Sequence, residues 1–444
     1  MYNSHRCWIP ILFAMTMSGF ALPSPARCQE ISALDRERGK TMLRVMRKDI
    51  EENFYDRKYK GINLDTLFAV TAHRIDAART NNEMFTMIED VMNEFQDSHM
   101  FFLPPGRAAR VDYGWTYQMF GDSCFVTAVK PGSDAESKGL HPGDRILSIG
   151  KTAPSRENDW ALRTLLTVLN PQPGMKVVAQ SAGNSPREIT AMADVRIQKR
   201  VVDLSGQFGD VDYWDLVREI EWTDYVSRHR HHDLNDSVHI WKMTDFLIDE
   251  GEINDAMDDV QDKKALVLDL RGNPGGYVKT LECLVGRLFD HDMSVGVIES
   301  RTGKKPWLVR QSSRTPFKGL LVILVDSMTG SAAEILARLV QIEHRGIVIG
   351  DRTWGAVGTA KSFVRDVGAG SSIFYAVSVT TERLAMSDGG NLEGTGVVPD
   401  ERVLPGSADL AQGRDPVLSY AVWLVGSTLY PESAGKLFPV EWKK

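Results

Sequence analysis

The stretch Leu324-Val-Asp-Ser-Met-Thr-Gly-Ser-Ala-Ala-Glu-Ile-Leu-Ala-Arg-Leu-Val340 joins an apolar run to an amphipathic run through small residues. The apolar run predicts a buried strand and the amphipathic run a helix, with Ser331 at the joint. A serine at such a turn presents its hydroxyl beside the unpaired N–H groups of the first helical turn, which can stabilise an oxyanion. Ser331 is therefore a candidate nucleophile for acyl transfer.

The same residues also fit a purely structural role. Ser331 and Glu334 have the spacing of a capping box, in which a serine and a glutamate three residues later satisfy the free N–H groups of a helix start. A cap of this kind does no chemistry. The stretch alone leaves both interpretations open.

The N-terminus has the composition of a secretory signal peptide over residues 1–28. Arg6 precedes an apolar run over residues 7–22, and small residues and prolines follow. A retained membrane anchor is the alternative, but Pro10 and Gly19 interrupt the run and it is short for a full span. We therefore expect export to the periplasm or the exterior, with no stable membrane span once the signal is removed.

The net charge of the chain indicates which classes of partner it can bind. The formal net charge is −7, and removal of residues 1–28 takes away two arginines and no acidic residue, which gives −9. An acidic chain without a basic block argues against nucleic acid as a partner.

Two of the four cysteines leave with the signal. Cys124 and Cys283 fall in different predicted domains, so we expect two buried free thiols rather than a disulfide.

The sequence pattern after the signal divides the chain into three regions with different predicted secondary structure. Residues 31–104 carry apolar positions at helical spacing and end near Ser98-His99. Residues 111–200 read as short β-strands with Pro-Gly turns. Within residues 205–444, apolar strands, including one over residues 372–380, alternate with helices. This alternation predicts an α/β domain with a mixed, largely parallel sheet and flanking helices.

The β-rich region resembles a PDZ domain. The resemblance rests on residues 126–150, which contain Gly139-Leu, His141-Pro-Gly-Asp and Ile146-Leu-Ser-Ile. It implies a groove that takes a protein or peptide segment as an added strand. Gly114-Trp115-Thr116-Tyr117 is the best candidate for the peptide-binding loop, although the usual glycine-rich sequence is degraded there.

The patch Arg228-His-Arg-His-His232 is the most evident candidate for a metal site. It has no cysteine or carboxylate at ligand spacing, so we interpret it as a solvated loop. No metal and no organic cofactor are expected.

Four separated motifs occur in the order seen in one serine peptidase family, which contains the tail-specific C-terminal processing proteases and the core of tricorn protease. The motifs are Asp269-Leu-Arg-Gly-Asn-Pro-Gly-Gly276, the Ser331 stretch, Gly350-Asp-Arg-Thr-Trp-Gly355 and Asn391-Leu-Glu-Gly-Thr-Gly-Val-Val-Pro-Asp400. The chain resembles this family from about residue 40 to its C-terminus. The resemblance implies a helical region, a PDZ domain and an α/β peptidase core.

The two branches of the family use different bases. The processing proteases place a lysine in a Gly-Lys-Gly segment, where this chain has Ala356. Lys361 is near, but nothing in its spacing recommends it as a base. The tricorn-like branch uses a Ser-His pair and a distant glutamate, and Ser98, His99 and Glu393 stand at the matching places.

The resemblance implies that His99 is the general base for Ser331 and that Ser98 links His99 to Glu393. A histidine, with an ordinary pKa near 6.5, can take and return a proton near neutral pH, and a third group must fix its tautomer. Backbone N–H groups of Ala332 and of Gly275 or Gly276 are the expected oxyanion donors.

These features predict an exported serine peptidase that cleaves protein or peptide chains, near their C-terminal ends, through an acyl-enzyme on Ser331. The alternative is a catalytically silent binding protein of the same fold that holds peptides or small ligands. A disrupted set of site residues would favour that alternative, whereas this sequence retains all of them.

Overall fold

The structure is a computed structural model that describes residues 31–106, 109–197, 229–368, 373–440 and 442. The predicted signal segment, residues 1–28, lies outside this range. In the described residues no helix is both long and apolar enough to cross a membrane.

The N-terminal region consists of three helices and a short strand. Each helix begins where a polar side chain accepts a hydrogen bond from the backbone N–H three residues later, at Ser32, Asn63 and Thr80. The helices bury one apolar stripe each against a shared core. The elements are α1 (Ala33–Asn53), α2 (Leu64–Asp76), α3 (Asn81–Asn93) and β1 (Phe101–Leu103).

The second region forms a five-stranded antiparallel sheet in the order β3-β4-β5-β6-β7, with β2 and β8 paired beside it. Its strands alternate buried and less buried residues, as expected for a sheet with one face on a core. The elements are β2 (Ala109–Asp112), β3 (Trp115–Phe120), β4 (Ser123–Val129), α4 (Asp134–Ser137), β5 (Arg145–Ile149), α5 (Asp159–Thr164), β6 (Gly174–Gln180), β7 (Arg187–Met192) and β8 (Asp194–Ile197).

The third region contains a six-stranded sheet in the order β18-β15-β14-β11-β10-β9, parallel except for the β9–β10 pair. Its central strands are buried on both faces because helices cover each side: Leu266 and Leu268 face one core, and Val267 faces the other. The elements of this sheet and its helices are β9 (Arg230–Asp233), β10 (Val238–Lys242), α6 (Glu250–Val260), β11 (Ala265–Asp269), α7 (Val278–Leu288), β14 (Leu320–Val325), α8 (Ala332–Ile342), β15 (Ile347–Gly350), β18 (Glu401–Arg402), α9 (Ser407–Gln412), α10 (Pro416–Leu424) and α11 (Pro431–Ala434).

A second, antiparallel sheet lies in the same region and was not predicted. It contains β12 (Met293–Ser300), β13 (Gly303–Val309), β16 (Thr359–Val367) and β17 (Ile373–Met386), with β1 paired to β17. The sequence placed residues 372–380 among the alternating strands of the parallel sheet, which is wrong. The link from β16 to β17 is too short for a parallel crossover, which needs a dozen residues or more, so the two strands form a hairpin.

Two smaller predictions also have outcomes here. Cys124 and Cys283 are both free thiols, but only Cys124 is buried and Cys283 is half-exposed. The histidine patch is not a solvated loop over residues 230–233. These residues form the edge strand β9, and the His231 ring stacks on Trp241 with 5.1 Å between ring centroids.

Candidate active site

Ser331 lies at the turn from β14 into α8, in a backbone conformation that is rare for a residue with a side chain. Its φ is 52° and its ψ is −121°, and such a conformation costs about 1–3 kcal/mol. The Ser331 N–H donates to the Ala356 carbonyl at 2.8 Å and to Glu334 Oε2 at 3.1 Å. These two hydrogen bonds hold the strained turn in place.

The Ser331 hydroxyl does not cap the helix. Glu334 contributes its half of the capping box by accepting from the Ser331 N–H, whereas the Ser331 side chain makes no cap hydrogen bond. Ser331 is partly exposed, and its Oγ forms no hydrogen bond with any described residue. The hydroxyl is therefore available to a substrate.

Glu334 connects the serine turn to the segment that follows β15, a role that sequence reasoning missed. Its fully buried carboxylate accepts hydrogen bonds from the Thr353 hydroxyl, the Gly355 N–H at 2.7 Å and the Ala356 N–H at 2.8 Å. Burial raises the pKa of Glu334 to about 7, despite these donors. The expected capping box was the only sequence signal for this residue.

We expect Glu334 to make stability depend on pH. Because its pKa is raised from 4.5 to about 7, the folded state binds the proton more tightly than the unfolded state. The contribution is fully present below pH 4.5 and is lost as pH rises through about 7, with a total of about 3 kcal/mol. Urea unfolding of the wild type and of Glu334→Gln at both ends of this range measures the effect.

The comparison uses the difference between the two proteins at each pH, because Glu334→Gln also places an amide donor against N–H groups and destabilises at every pH. The wild type should lose stability relative to the variant as pH rises. Parallel pH profiles would show that Glu334 does not titrate in this range.

Ser98 and His99 lie in the turn between α3 and β1. β1 pairs with β17, so the turn is held against the peptidase core. Asp97 strengthens this attachment, because its Oδ1 accepts the Thr380 hydroxyl at 2.6 Å and the His99 N–H at 3.3 Å. His99 is buried, with 8% of its surface exposed. The N-terminal region thus delivers a fixed imidazole to the core.

Glu393, Ser98 and His99 form a continuous chain of hydrogen bonds. Ser98 Oγ lies 3.0 Å from Glu393 Oε2 and 2.9 Å from His99 Nδ1. A carboxylate only accepts, so the single Ser98 proton goes to Glu393 and the Ser98 oxygen accepts from the imidazole N–H at Nδ1. This assignment leaves the lone pair on His99 Nε2, the nitrogen that could act as a base.

Glu393 is itself held by two backbone donors. The Ser98 N–H donates to Oε1 and the Val357 N–H to Oε2, both at 2.7 Å. Burial raises the pKa of Glu393, and the nearby Asp97 charge adds to the effect, while His99 and the two donors oppose it. Protonation of Glu393 would free the Ser98 hydroxyl to reverse its direction, so acid should disturb this chain.

His99 and Ser331 both contact one short segment, residues 356–358. Ala356 accepts the Ser331 N–H, and a Cβ built on Gly358 would lie 3.5 Å from His99 Nδ1. No hydrogen bond joins Ser331 Oγ to His99 among the described residues. Catalytic hydrogen bonds are often long in ligand-free sites and tighten only when substrate binds.

The expected oxyanion donors surround the serine. A Cβ on Gly275 would lie 2.6 Å from Ser331 Cβ and 2.9 Å from the Ala332 nitrogen, so this position has room only for glycine. The Gly275 N–H is already bound to Asn273 Oδ1 at 2.8 Å. Within the described chain, the N–H groups of Ala332 and Gly276 make no hydrogen bond, which favours this pair as the donors.

The two lysine-branch positions are also defined. Ala356 is buried. Its N–H donates to Glu334, and its carbonyl accepts from the Ser331 N–H. Lys361 is exposed on β16, with its Nζ 5.1 Å from the centroid of the Phe363 ring. Phe363 belongs to the core shared with the N-terminal helices, so Lys361 points away from the serine turn.

The predicted peptide-binding residues lie at the edge of the PDZ-like sheet. Trp115 and Tyr117 have buried side chains, and Thr116 bonds Thr127 across the sheet at 2.9 Å. Gly114 precedes the strand with a φ of 71°. The Tyr117 carbonyl accepts from Arg163 Nη2 at 2.7 Å, so part of the edge needed for an added strand is occupied. Their peptide-binding role stays a prediction.

Asp326 links the peptidase core to the PDZ-like region and was also missed from the sequence. It follows β14, and its Oδ1 accepts from the Gly272 N–H at 2.9 Å and from the Met328 N–H at 3.0 Å. Its Oδ2 accepts from Gln118 of the PDZ-like edge strand at 2.6 Å. An aspartate directly after a buried strand and before a Ser-Met-Thr-Gly turn is a local signal for such bonds.

Within the part of the chain that the structure describes, no group of three or more His, Cys, Asp or Glu side chains is placed to hold a metal ion. The site residues supply proton acceptors, a hydroxyl and backbone donors, which are the groups needed for acyl transfer.

Sequence models of three domains match the chain. Peptidase family S41 matches residues 237–403, the tricorn protease C1 domain matches residues 36–93, and the PDZ domain matches residues 109–157. The solved structures similar to it include mature CPAF, with a TM-score of 0.64, 14% identity and coverage of 85% of this chain and 95% of that chain. The photosystem II D1 C-terminal processing protease has a TM-score of 0.51 and 18% identity over 92% of this chain and 100% of that chain.

Curated relatives are similar over different lengths. The tail-specific protease of Haemophilus influenzae is 25% identical over 386 residues, which are 80% of this chain and 51% of that protein. The carboxyl-terminal-processing protease of Synechocystis is 24% identical over 77% of this chain and 74% of that protein. The putative tricorn protease homolog 2 of Streptomyces coelicolor is 31% identical over 36% of this chain and 13% of that protein. The match thus spans about half of the Haemophilus protein and far less of the Streptomyces protein.

The three domain matches follow the order seen in the structure and together include more than half of the 444 residues. The helical region that carries Ser98 and His99, the PDZ domain and the sheet that carries Ser331 confirm the resemblance drawn from the motifs: residues 237–403 match peptidase family S41, and they follow regions that match the tricorn protease C1 domain and the PDZ domain.

Proposed function

We propose that this chain is an exported serine endopeptidase that cleaves protein or peptide chains near their C-terminal ends. One observation carries the proposal. A buried chain of hydrogen bonds from Glu393 through Ser98 to His99 lies beside a strained serine whose hydroxyl has no partner in the described chain. Strain and an unused hydroxyl at one turn are typical of a nucleophile.

In the proposed reaction, His99 Nε2 takes the proton of Ser331 Oγ as that oxygen attacks the carbonyl carbon of the scissile peptide bond. The N–H groups of Ala332 and Gly276 donate to the resulting oxyanion. His99 then returns the proton to the leaving amine as the C–N bond breaks. Water, deprotonated by His99, releases the acyl group from Ser331 by the same route. This chemistry needs no metal and no organic cofactor.

The substrate class follows from the domain content and from the relatives. A PDZ domain suggests protein or peptide substrates, and two relatives are named for processing at tails or carboxyl termini. Export rests on the signal-like sequence of residues 1–28. We place the mature protein in the periplasm or outside the cell.

A silent peptide-binding protein of the same fold is the second candidate, because Ser331 and His99 are not hydrogen-bonded to each other. The test is to incubate the purified protein with a fluorophosphonate probe and, separately, with an unfolded protein. Labelling and cleavage by the folded protein support the peptidase. Binding of the unfolded protein without labelling or cleavage would support the silent candidate instead.

Ser98 should act as a positioning residue. We expect Ser98→Ala to lower kcat about 10- to 100-fold with little change in KM, because His99 Nδ1 loses the acceptor that fixes its tautomer. Ser98→Thr keeps a hydroxyl and should recover most of the activity. Steady-state kinetics with a peptide substrate measure both. Equal losses in the two variants would show that packing, rather than the hydroxyl, is what matters.

A further inference from the structure

A cavity of about 130 Å³ lies between the PDZ domain and the peptidase core. Its apolar walls come from both sides. Met119 and Trp160 belong to the PDZ domain, and Met328 and Trp354 to the core. The two indole rings have centroids 4.7 Å apart, and both tryptophans remain partly exposed. Tryptophan is enriched among the residues that contribute most to binding at interfaces.

The cavity is next to the nucleophile. The Trp354 ring packs over Gly330, because a Cβ on that glycine would lie 3.1 Å from Trp354 Cε3. The Trp354 N–H donates to the Thr329 carbonyl at 2.9 Å. Gly394, which follows Glu393, also lines the cavity. One wall residue, Gly394, thus follows Glu393 directly, and another, Trp354, packs on the glycine that precedes Ser331.

Five charged residues also line the cavity, and ion pairs hold two of its three arginines. Arg163 binds Asp159 at 3.0 Å and the Tyr117 carbonyl. Arg156 binds Asp351 at 3.0 Å. An apolar cavity of about 150 Å³ accommodates a benzene ring. The volume and the aromatic walls thus match one large apolar side chain.

We propose that this cavity is a specificity pocket, which takes a phenylalanine or similarly bulky apolar side chain of the substrate residue beside the scissile bond. The proposal rests on the proposed peptidase function and names part of its substrate preference. Because Trp160 comes from the PDZ domain and Trp354 from the core, the pocket exists only while the two domains are docked. Gln118–Asp326 and Arg156–Asp351 are among the contacts that dock them.

The first test uses peptides that differ at a single position, with Phe, Leu, Ala or Asp beside the cleaved bond identified by mass spectrometry. We expect kcat/KM to be about 10- to 100-fold higher for Phe or Leu than for Ala. Trp160→Ala should reduce this preference to less than threefold. Trp160→Phe keeps an aromatic wall and should keep a preference. Trp423, which is 64% exposed in α10, is the matched control, and Trp423→Ala should change nothing.

A second measurement separates this pocket from the proposed function. Calorimetry on Ser331→Ala records peptide binding without cleavage, with the same peptide series. If the wild type cleaves nothing but Ser331→Ala binds the Phe peptide tenfold more tightly than the Ala peptide, the peptidase fails and the pocket stands. If the wild type cleaves all four peptides equally, or if neither cleavage nor binding depends on the varied residue, the pocket is overturned. An unchanged preference in folded Trp160→Ala would overturn it as well.

Discussion

Ser331→Ala should abolish peptide hydrolysis, with a loss in kcat/KM on the order of 10⁴-fold or more, and should prevent labelling by a fluorophosphonate. The reason is the loss of the only group placed to form the acyl-enzyme at the turn between β14 and α8. Any residual rate would come from binding and from the oxyanion donors at Ala332 and Gly276. Active-site labelling and peptide kinetics on the same preparation measure the effect.

The matched control is Ser313→Ala, which changes an exposed serine elsewhere in the core. It should keep full activity. Ser331→Gly gives a second readout, because glycine adopts a φ of 52° without a side-chain clash. Its free energy of unfolding, measured with urea, should exceed that of Ser331→Ala by about 1 kcal/mol. Full cleavage by Ser331→Ala would show that another residue is the nucleophile.

His99→Ala should lower kcat/KM by about 10³- to 10⁴-fold, because the imidazole that donates from Nδ1 to the Ser98 oxygen, and so keeps a lone pair on Nε2, is lost. Fluorophosphonate labelling should slow in parallel, since the probe also needs an activated hydroxyl. The labelling rate and the circular dichroism spectrum of each variant distinguish lost activation from lost folding.

His73, an exposed histidine on α2, is the matched control. His73→Ala should have wild-type kinetics. If folded His99→Ala retained wild-type activity, the base would have to be another group, and Lys361→Ala would then be the next variant. We expect Lys361→Ala to be silent, because this exposed lysine lies over the Phe363 ring and makes no hydrogen bond with Ser331 in the described structure.

Much of the fold was readable from local patterns. Continuous apolar runs such as residues 320–325 predicted buried parallel strands, and helical spacing predicted α1 and α3, because each pattern reflects which faces are covered. The antiparallel sheet was not predicted, since β16 and β17 look locally like further strands of the parallel sheet. Only their short connection, together with the pairing of β1 from the N-terminal region, decides their place.

Some features of the candidate site were likewise predicted from the sequence, and others appear only in the tertiary structure. The motifs predict roles for Ser331, Ser98, His99 and Glu393 only through their joint order, because each residue taken singly also fits a structural role. They do not show that Glu334 binds both the serine turn and the Ala356 segment, or that the Gly275 N–H donates its hydrogen bond to Asn273. Those facts depend on which backbone groups meet across separate segments.

The serine turn at residues 330–332 shows what the sequence determines and what only the tertiary structure decides. Its sequence determined a strand, a tight turn and a helix, and it left the choice between a helix cap and a nucleophile open. The tertiary structure decided that the hydroxyl caps nothing and that the N–H, rather than the hydroxyl, is bound by Glu334 and Ala356. It also joined the N-terminal region, which carries His99, to the peptidase core through the pairing of β1 with β17. Local residues fix local conformation, whereas the partners of a strained backbone come from distant segments that only the packed chain brings together.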